Sequence, residues 1–190
     1  MDRIEPIGEV AHGAATGSAM KRKRAPSWDR AKSAAECARS ELPRLAEEYF
    51  AAGRKAVKRR TKAETLHAFR LATKRFRYTL ELFQPLYGPG LASRLEMLKR
   101  VQQYLGDFND CVITRNLIRQ TGGDDGAAKE LLERLTEREK QRTRKLVQYW
   151  RQTFDAPGAE QGWLRYLRAW AGRRATKGVG VSAATPANGV

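Results

Sequence analysis

Residues 66–83 read Leu66-His67-Ala68-Phe69-Arg70-Leu71-Ala72-Thr73-Lys74-Arg75-Phe76-Arg77-Tyr78-Thr79-Leu80-Glu81-Leu82-Phe83. Wound as a helix, this stretch places His67, Arg70, Lys74 and Arg77 on one stripe. Phe69, Ala72, Phe76, Leu80 and Phe83 fall on the opposite one. Like charges stacked at three- or four-residue spacing cost a helix about 0.2–0.5 kcal/mol per pair. Glu81, at one end, is the only acidic residue near the row. A stripe so built implies an anion resting against it.

The flanking sequence continues the helical period. From Ser27, residues Trp28, Ala31, Ala35, Ala38, Leu42, Leu45, Tyr49 and Phe50 recur by threes and fours, with Pro43 as a point for a kink. This helix frays in the basic stretch 54–60. Thr61-Lys62-Ala63-Glu64 has the form of a capping box that starts the basic-stripe helix, and Pro85, Gly88, Pro89 and Gly90 stop it. A helix from Leu91 to Leu105 follows and ends at Gly106. Asp107 or Asn109 caps a short helix carrying Val112, Ile113, Leu117 and Ile118. After the loop Gly122–Gly126 comes a long helix over 127–154, with Leu131, Leu132, Leu135, Leu146, Val147, Trp150 and Phe154. Gln161–Ala171 adds a turn or two. No stretch alternates as a strand does. The expected fold is all-α: a four-helix bundle of long antiparallel helices with short extra helices. Residues 1–26, which end in the basic run Lys21–Arg24, read as a disordered tail. Residues 27–171 read as the helical domain and 172–190 as a second disordered tail.

The chain has 190 residues and carries 37 Lys and Arg against 21 Asp and Glu, a formal charge of +16. That surplus points to a polyanion: nucleic acid, anionic membrane or a phosphate polymer. Cys37 and Cys111 fall in predicted helices with no export signal before them, so a reduced cytoplasmic setting is expected. No apolar run approaches the ~18 residues that span a bilayer, so membrane insertion is not expected. Metal sites need clustered His, Cys or carboxylates, and the only other histidine is His12 in the tail. There is no glycine-rich phosphate loop and no paired acid and base. Neither catalysis nor a cofactor is expected.

A second basic row, Arg134, Arg138, Arg142 and Lys145, borders the apolar face of the long C-terminal helix, with Lys99 and Arg115 on the helices between. If these helices share one core, the row could converge with His67, Arg70, Lys74 and Arg77 on one surface. Arginine suits such a surface, because its planar fork grips two phosphate oxygens and keeps its proton. The long helix also carries Glu130, Glu133, Glu137 and Glu139, so an ordinary solvated face of i,i+4 pairs stays open there.

Leu66–Tyr78 with Glu81 and Phe83, then Pro85-Leu86-Tyr87-Gly88, then Leu98–Asp110 at its usual distance, resemble a CHAD domain (conserved histidine α-helical domain). The resemblance is specific over 62–120, weaker over 28–61 and 127–154, and absent in both tails. It implies a non-catalytic helical domain that binds inorganic polyphosphate through basic side chains, at polyphosphate granules. By position His67, Arg70, Lys74 and Arg77 match the family's basic motif, and Lys99 matches a basic position in the next helix. Arg115, Arg138, Arg142 and Lys145 join them by inferred facing. Arg75, about 100–120° off the stripe, and Arg134 form a second tier. Members of the family typically contain two halves with one His-x-x-Arg motif each, whereas this chain has one, so either a single half suffices or two chains pair around a shared groove. The homodimer is the expectation. The alternative is a nucleic-acid-binding helical module, which would need aromatics exposed among the basic residues. Here Phe69, Phe76 and Phe83 lie on the core face, and only Tyr78 is near the stripe.

Overall fold

The structure, a computed structural model, describes residues 31–59, 61–121 and 126–170, with nothing stated for the Trp170 side chain. Both predicted tails, the Lys21–Arg24 run, His12, Trp28, Arg60 and most of the Gly122–Gly126 loop therefore lie outside the described residues. Among the described residues the chain is all-helical: α1 (Ala34–Ala56), α2 (Ala63–Leu82), a 3-10 turn over Gln84–Leu86, α3 (Gly90–Thr121), α4 (Gly126–Thr153) and α5 (Ala159–Trp170).

The helix ends show where local chemistry decided and where it did not. α1 begins at a capping box absent from the sequence reading: Glu36 N donates to Ser33 Oγ at 3.3 Å, and Ser33 N donates to Glu36 Oε2 at 2.8 Å. Pro43 sits buried within α1, which runs through it from Ala34 to Ala56. The capping box expected at Thr61–Glu64 does not form. Lys62 is the N-cap residue without a side-chain bond, and Thr61 Oγ1 donates backward to Lys58 O at 2.6 Å.

Gly106 does not end a helix either. α3 continues for 32 residues, so the expected helix over 91–105 and the short one after it are a single element. A glycine inside a helix costs roughly 0.5–1 kcal/mol relative to alanine, and the packing of Leu91, Leu95, Leu98, Val101, Leu105 and Cys111 on α3 offsets that. Leu105 and Cys111 are buried on either side of Gly106. The residues expected to cap a new helix are taken by tertiary partners: Asp107 pairs with Arg142 at 3.1 Å, and Asn109 meets His67 at 3.3 Å.

The helices pack in chain-antiparallel pairs. His67–Asn109 and Arg77–Gln102 join α2 to α3. Met97–Tyr149, Asp107–Arg142 and Arg115–Glu139 join α3 to α4. Glu47–Arg168 and Arg54–Glu160 join α1 to α5. The core is aromatic: Trp150 stacks on Phe154 with centroids 4.5 Å apart, and Phe69, Phe50 and Tyr49 meet that indole edge-on. A Cβ at Gly53 would lie 1.9 Å from the Trp150 ring, so α1 approaches α4 this closely only because residue 53 lacks one.

α5 is longer than the turn or two expected and closes this core. Trp163 and Leu167 are buried, and the Tyr87 hydroxyl donates to Leu167 O at 2.9 Å. Arg94 lies over the rings of Trp163 and Tyr166, at 5.4 and 3.8 Å, and burial lowers its pKa from the usual guanidinium value. On the far half of the α3–α4 hairpin, Ile113, Leu117 and Leu131 are exposed rather than forming core faces. Among the described residues no helix is long and apolar enough to cross a membrane.

Candidate polyanion-binding site

α2 turns Leu66, Phe69, Thr73, Phe76 and Leu80 into the core, which rotates His67, Arg70, Lys74 and Arg77 toward its seam with α3. The two ends of the basic row are tied across that seam. His67 Nδ1 lies 3.3 Å from Asn109 Oδ1, and Arg77 Nε donates to Gln102 Oε1 at 2.9 Å. Arg77 is also paired with Glu81, lies over the Tyr78 ring at 4.4 Å, and keeps its side chain only 14% exposed.

Between these ends, Arg70 and Lys74 are partly buried, and neither forms an ion pair among the described residues. Arg70 Nε is buried without a hydrogen-bond partner among the described residues. Such an atom is a cost unless something satisfies it.

Gly106 falls between Gln102 and Asn109 on the α3 stripe that faces α2, at spacings of four and three. A Cβ there would meet nothing within 4 Å. The seam is thus closed by side chains at its two ends and open at its middle, beside two cations that are unpaired among the described residues. By residue type alone Gly106 is a helix stop. Its period with Gln102 and Asn109, which mirrors that of His67, Arg70, Lys74 and Arg77, was the available signal for an open seam.

The remaining sequence-predicted residues occupy other places. Arg75 lies around α2 from the stripe, beside Leu71, Ala72 and Thr79 at the apolar cleft between α1 and α2. Lys99 is exposed on α3 and paired with Glu96 at 2.6 Å. Arg115 is drawn inward between α3 and α4, bonded to the buried Glu139 at 2.7 Å with its side chain 19% exposed. Arg142 pairs with Asp107, and Arg134 with Glu130 at 2.5 Å.

Arg138 and Lys145 are exposed and share a groove on α4 with Arg134 and Arg142. Arg138 and Arg142 also lie close enough to Cys111 to pull its thiol pKa down against burial, which dominates and raises it. α3 contacts α2 through Gln102 and Asn109, and α4 through Asp107 and Arg115. The two basic rows therefore flank α3 on either side.

An unpaired Arg–Lys step over an open seam is built to receive oxygen atoms that carry charge, with the guanidinium able to grip two at once. Searches among curated proteins and among solved structures found no match to the chain. The sequence model of the CHAD domain matches residues 12–119. That match begins inside the N-terminal stretch that motif reading left outside the resemblance, and ends before α4. It spans more than half of the sequence and contains the whole α2–α3 seam, and on that ground the chain belongs to the CHAD domain family.

Proposed function

We infer that this protein binds inorganic polyphosphate, without catalysis, along the α2–α3 seam. The observation that carries this reading is the pair Arg70 and Lys74, unpaired beside the open position at Gly106 and bracketed by His67 and Arg77. From His67 to Arg77 the row covers about 15 Å of helix, enough to meet several successive phosphates. Lys99, Arg138, Arg142 and Lys145 extend the positive field on either flank and steer the polymer. Arg115 braces the α3–α4 hairpin. The reading includes a cytoplasmic location at polyphosphate granules and pairing of two chains.

The test is a titration with polyphosphate and with RNA at two salt concentrations, on the natural protein and on Arg70→Glu/Lys74→Glu. The expected result is saturable polyphosphate binding that weakens with salt and is lost in the variant while helicity stays intact. Binding retained by the variant overturns the site. RNA that displaces polyphosphate favours a nucleic-acid module instead. Against that alternative stand Phe69, Phe76 and Phe83, which are buried and leave Tyr78 as the exposed aromatic beside the row among the described residues.

A further inference from the structure

α2 has a third face. Leu71, Arg75, Tyr78 and Leu82 form a row about 180° around the helix from its core side, at spacings of four, three and four. Leu71, Tyr78 and Leu82 are 51%, 52% and 73% exposed, and Arg75 is exposed beside them. This row covers about 16 Å of helix. It lies between the basic row on one flank and, on the other, the apolar cleft lined by Leu45, Tyr49, Ala68 and Ala72. A run of large apolar side chains in water at this spacing is the pattern of a helix–helix seam with its partner missing.

The order of residues says which partner fits. The row reads the same from both ends: antiparallel overlay on itself sets Leu71 against Leu82 of a second copy, and Arg75 against Tyr78 of that copy. Every position then meets a complement, leucine on leucine and guanidinium on phenol ring. A two-fold interface requires this reciprocity, in which residue i meets j and j meets i.

We propose that two copies of this chain pair antiparallel through the Leu71–Arg75–Tyr78–Leu82 row of α2, and that a bound polyanion permits the pairing. The two-fold axis of such a pair stands perpendicular to the plane of the two helices, so whatever lies on one flank of α2 reappears on the same flank of its copy. The His67–Arg77 rows, roughly 90° around α2 from the seam, come side by side on one face and make a single basic surface of twice the width. Each chain carries +16, so bare copies repel. Phosphate oxygens shared between the two rows neutralise that repulsion. This dependence on anion rests on the polyphosphate reading above; the self-complementary seam does not.

Crosslinking tests the register. Leu71→Cys and Leu82→Cys are prepared separately, then oxidised singly and mixed, with and without a short linear polyphosphate of defined length. Each sample is titrated for polyphosphate binding in parallel. The natural cysteines are buried, and the unaltered protein measures their background. In the proposed pair, residues 71 and 82 of different copies face each other. Two copies of residue 71 lie about 16 Å apart, beyond the roughly 4.4–6.8 Å between Cα atoms that a disulfide spans.

The expected result is at least a tenfold excess of linked dimer in the polyphosphate-treated mixture over either variant alone. Leu71→Glu/Leu82→Glu is expected to bind polyphosphate as a particle of half the mass by light scattering. Equal linking of Leu71→Cys alone, or no linking in a mixture that demonstrably binds polyphosphate, overturns the seam. Linking unchanged by polyphosphate overturns the anion dependence. Absence of polyphosphate binding by the unaltered protein overturns the functional reading, and the mixture without polymer at about 1 M salt, which screens the repulsion between bare copies, then reports on the seam by itself.

Discussion

α2 and α4 each carry a row of basic residues at helical spacing, yet the two rows meet different surroundings. On α4, Arg134 and Arg142 face carboxylates of α4 and α3, and Arg115 reaches across from α3 to the buried Glu139. Those three cations already have their anions, while Arg138 and Lys145 of the α4 row are exposed. On α2, Arg77 is held by Glu81 and Gln102, while Arg70 and Lys74 have no acidic partner among the described residues. Each row thus keeps two cations without an ion pair among the described residues, Arg70 and Lys74 on α2 and Arg138 and Lys145 on α4. The difference is that the α2 pair is partly buried beside an open seam, whereas the α4 pair is exposed to water.

Reversing the middle of the α2 row should produce the largest effect. Arg70→Glu/Lys74→Glu is expected to lower polyphosphate affinity at least 100-fold, about 2.7 kcal/mol, at unchanged circular dichroism. An α4 counterpart, Arg138→Glu/Lys145→Glu, that weakened binding equally would erase the contrast between the rows.

Arg115→Ala is expected to act on folding instead. Removing one partner of a buried ion pair leaves Glu139 uncompensated and costs about 3 kcal/mol, read from urea midpoints at unchanged slope. Polyphosphate affinity of the folded variant should match that of the natural protein, and a selective loss of binding would make Arg115 a ligand rather than a brace.

Gly106→Ala should raise stability by about 0.5–1 kcal/mol, since a Cβ there meets open space and the helix gains a better former. A destabilised variant would mean that the seam is closed at this point. The smallest effect belongs to the solvated pair: Arg134→Ala should stay within about 0.5 kcal/mol in stability and leave polyphosphate affinity unaltered.

Much of the helical layout was legible because apolar residues at threes and fours leave few alternatives. Phe69, Phe76, Leu80 and Phe83 as core positions, the stop after Phe83 and the long α4 are all in the period, whereas Leu66 and Thr73 are buried outside the expected face and Ala72 stays partly exposed. What misled was local cap chemistry. Thr61–Glu64, Gly106, Asp107 and Asn109 have the residue types of helix ends, yet Asp107 and Asn109 spend their side chains on Arg142 and His67. A cap bond contributes about 1 kcal/mol, and an interhelix contact backed by a packed core outweighs it. Likewise, Ser33 and Glu36 lay inside what read as continuous apolar period, so their capping box passed unnoticed.

The sequence by itself determined the helical class, the charge surplus, the family-bearing motifs and the stripe His67–Arg70–Lys74–Arg77, because each depends only on residue type and spacing along one chain. Tertiary structure alone decided which cations are already neutralised, that α3 passes unbroken through Gly106, and that α2 keeps an apolar row facing water. Those properties depend on what a neighbouring helix places opposite each side chain, and no period within a single helix records its neighbour.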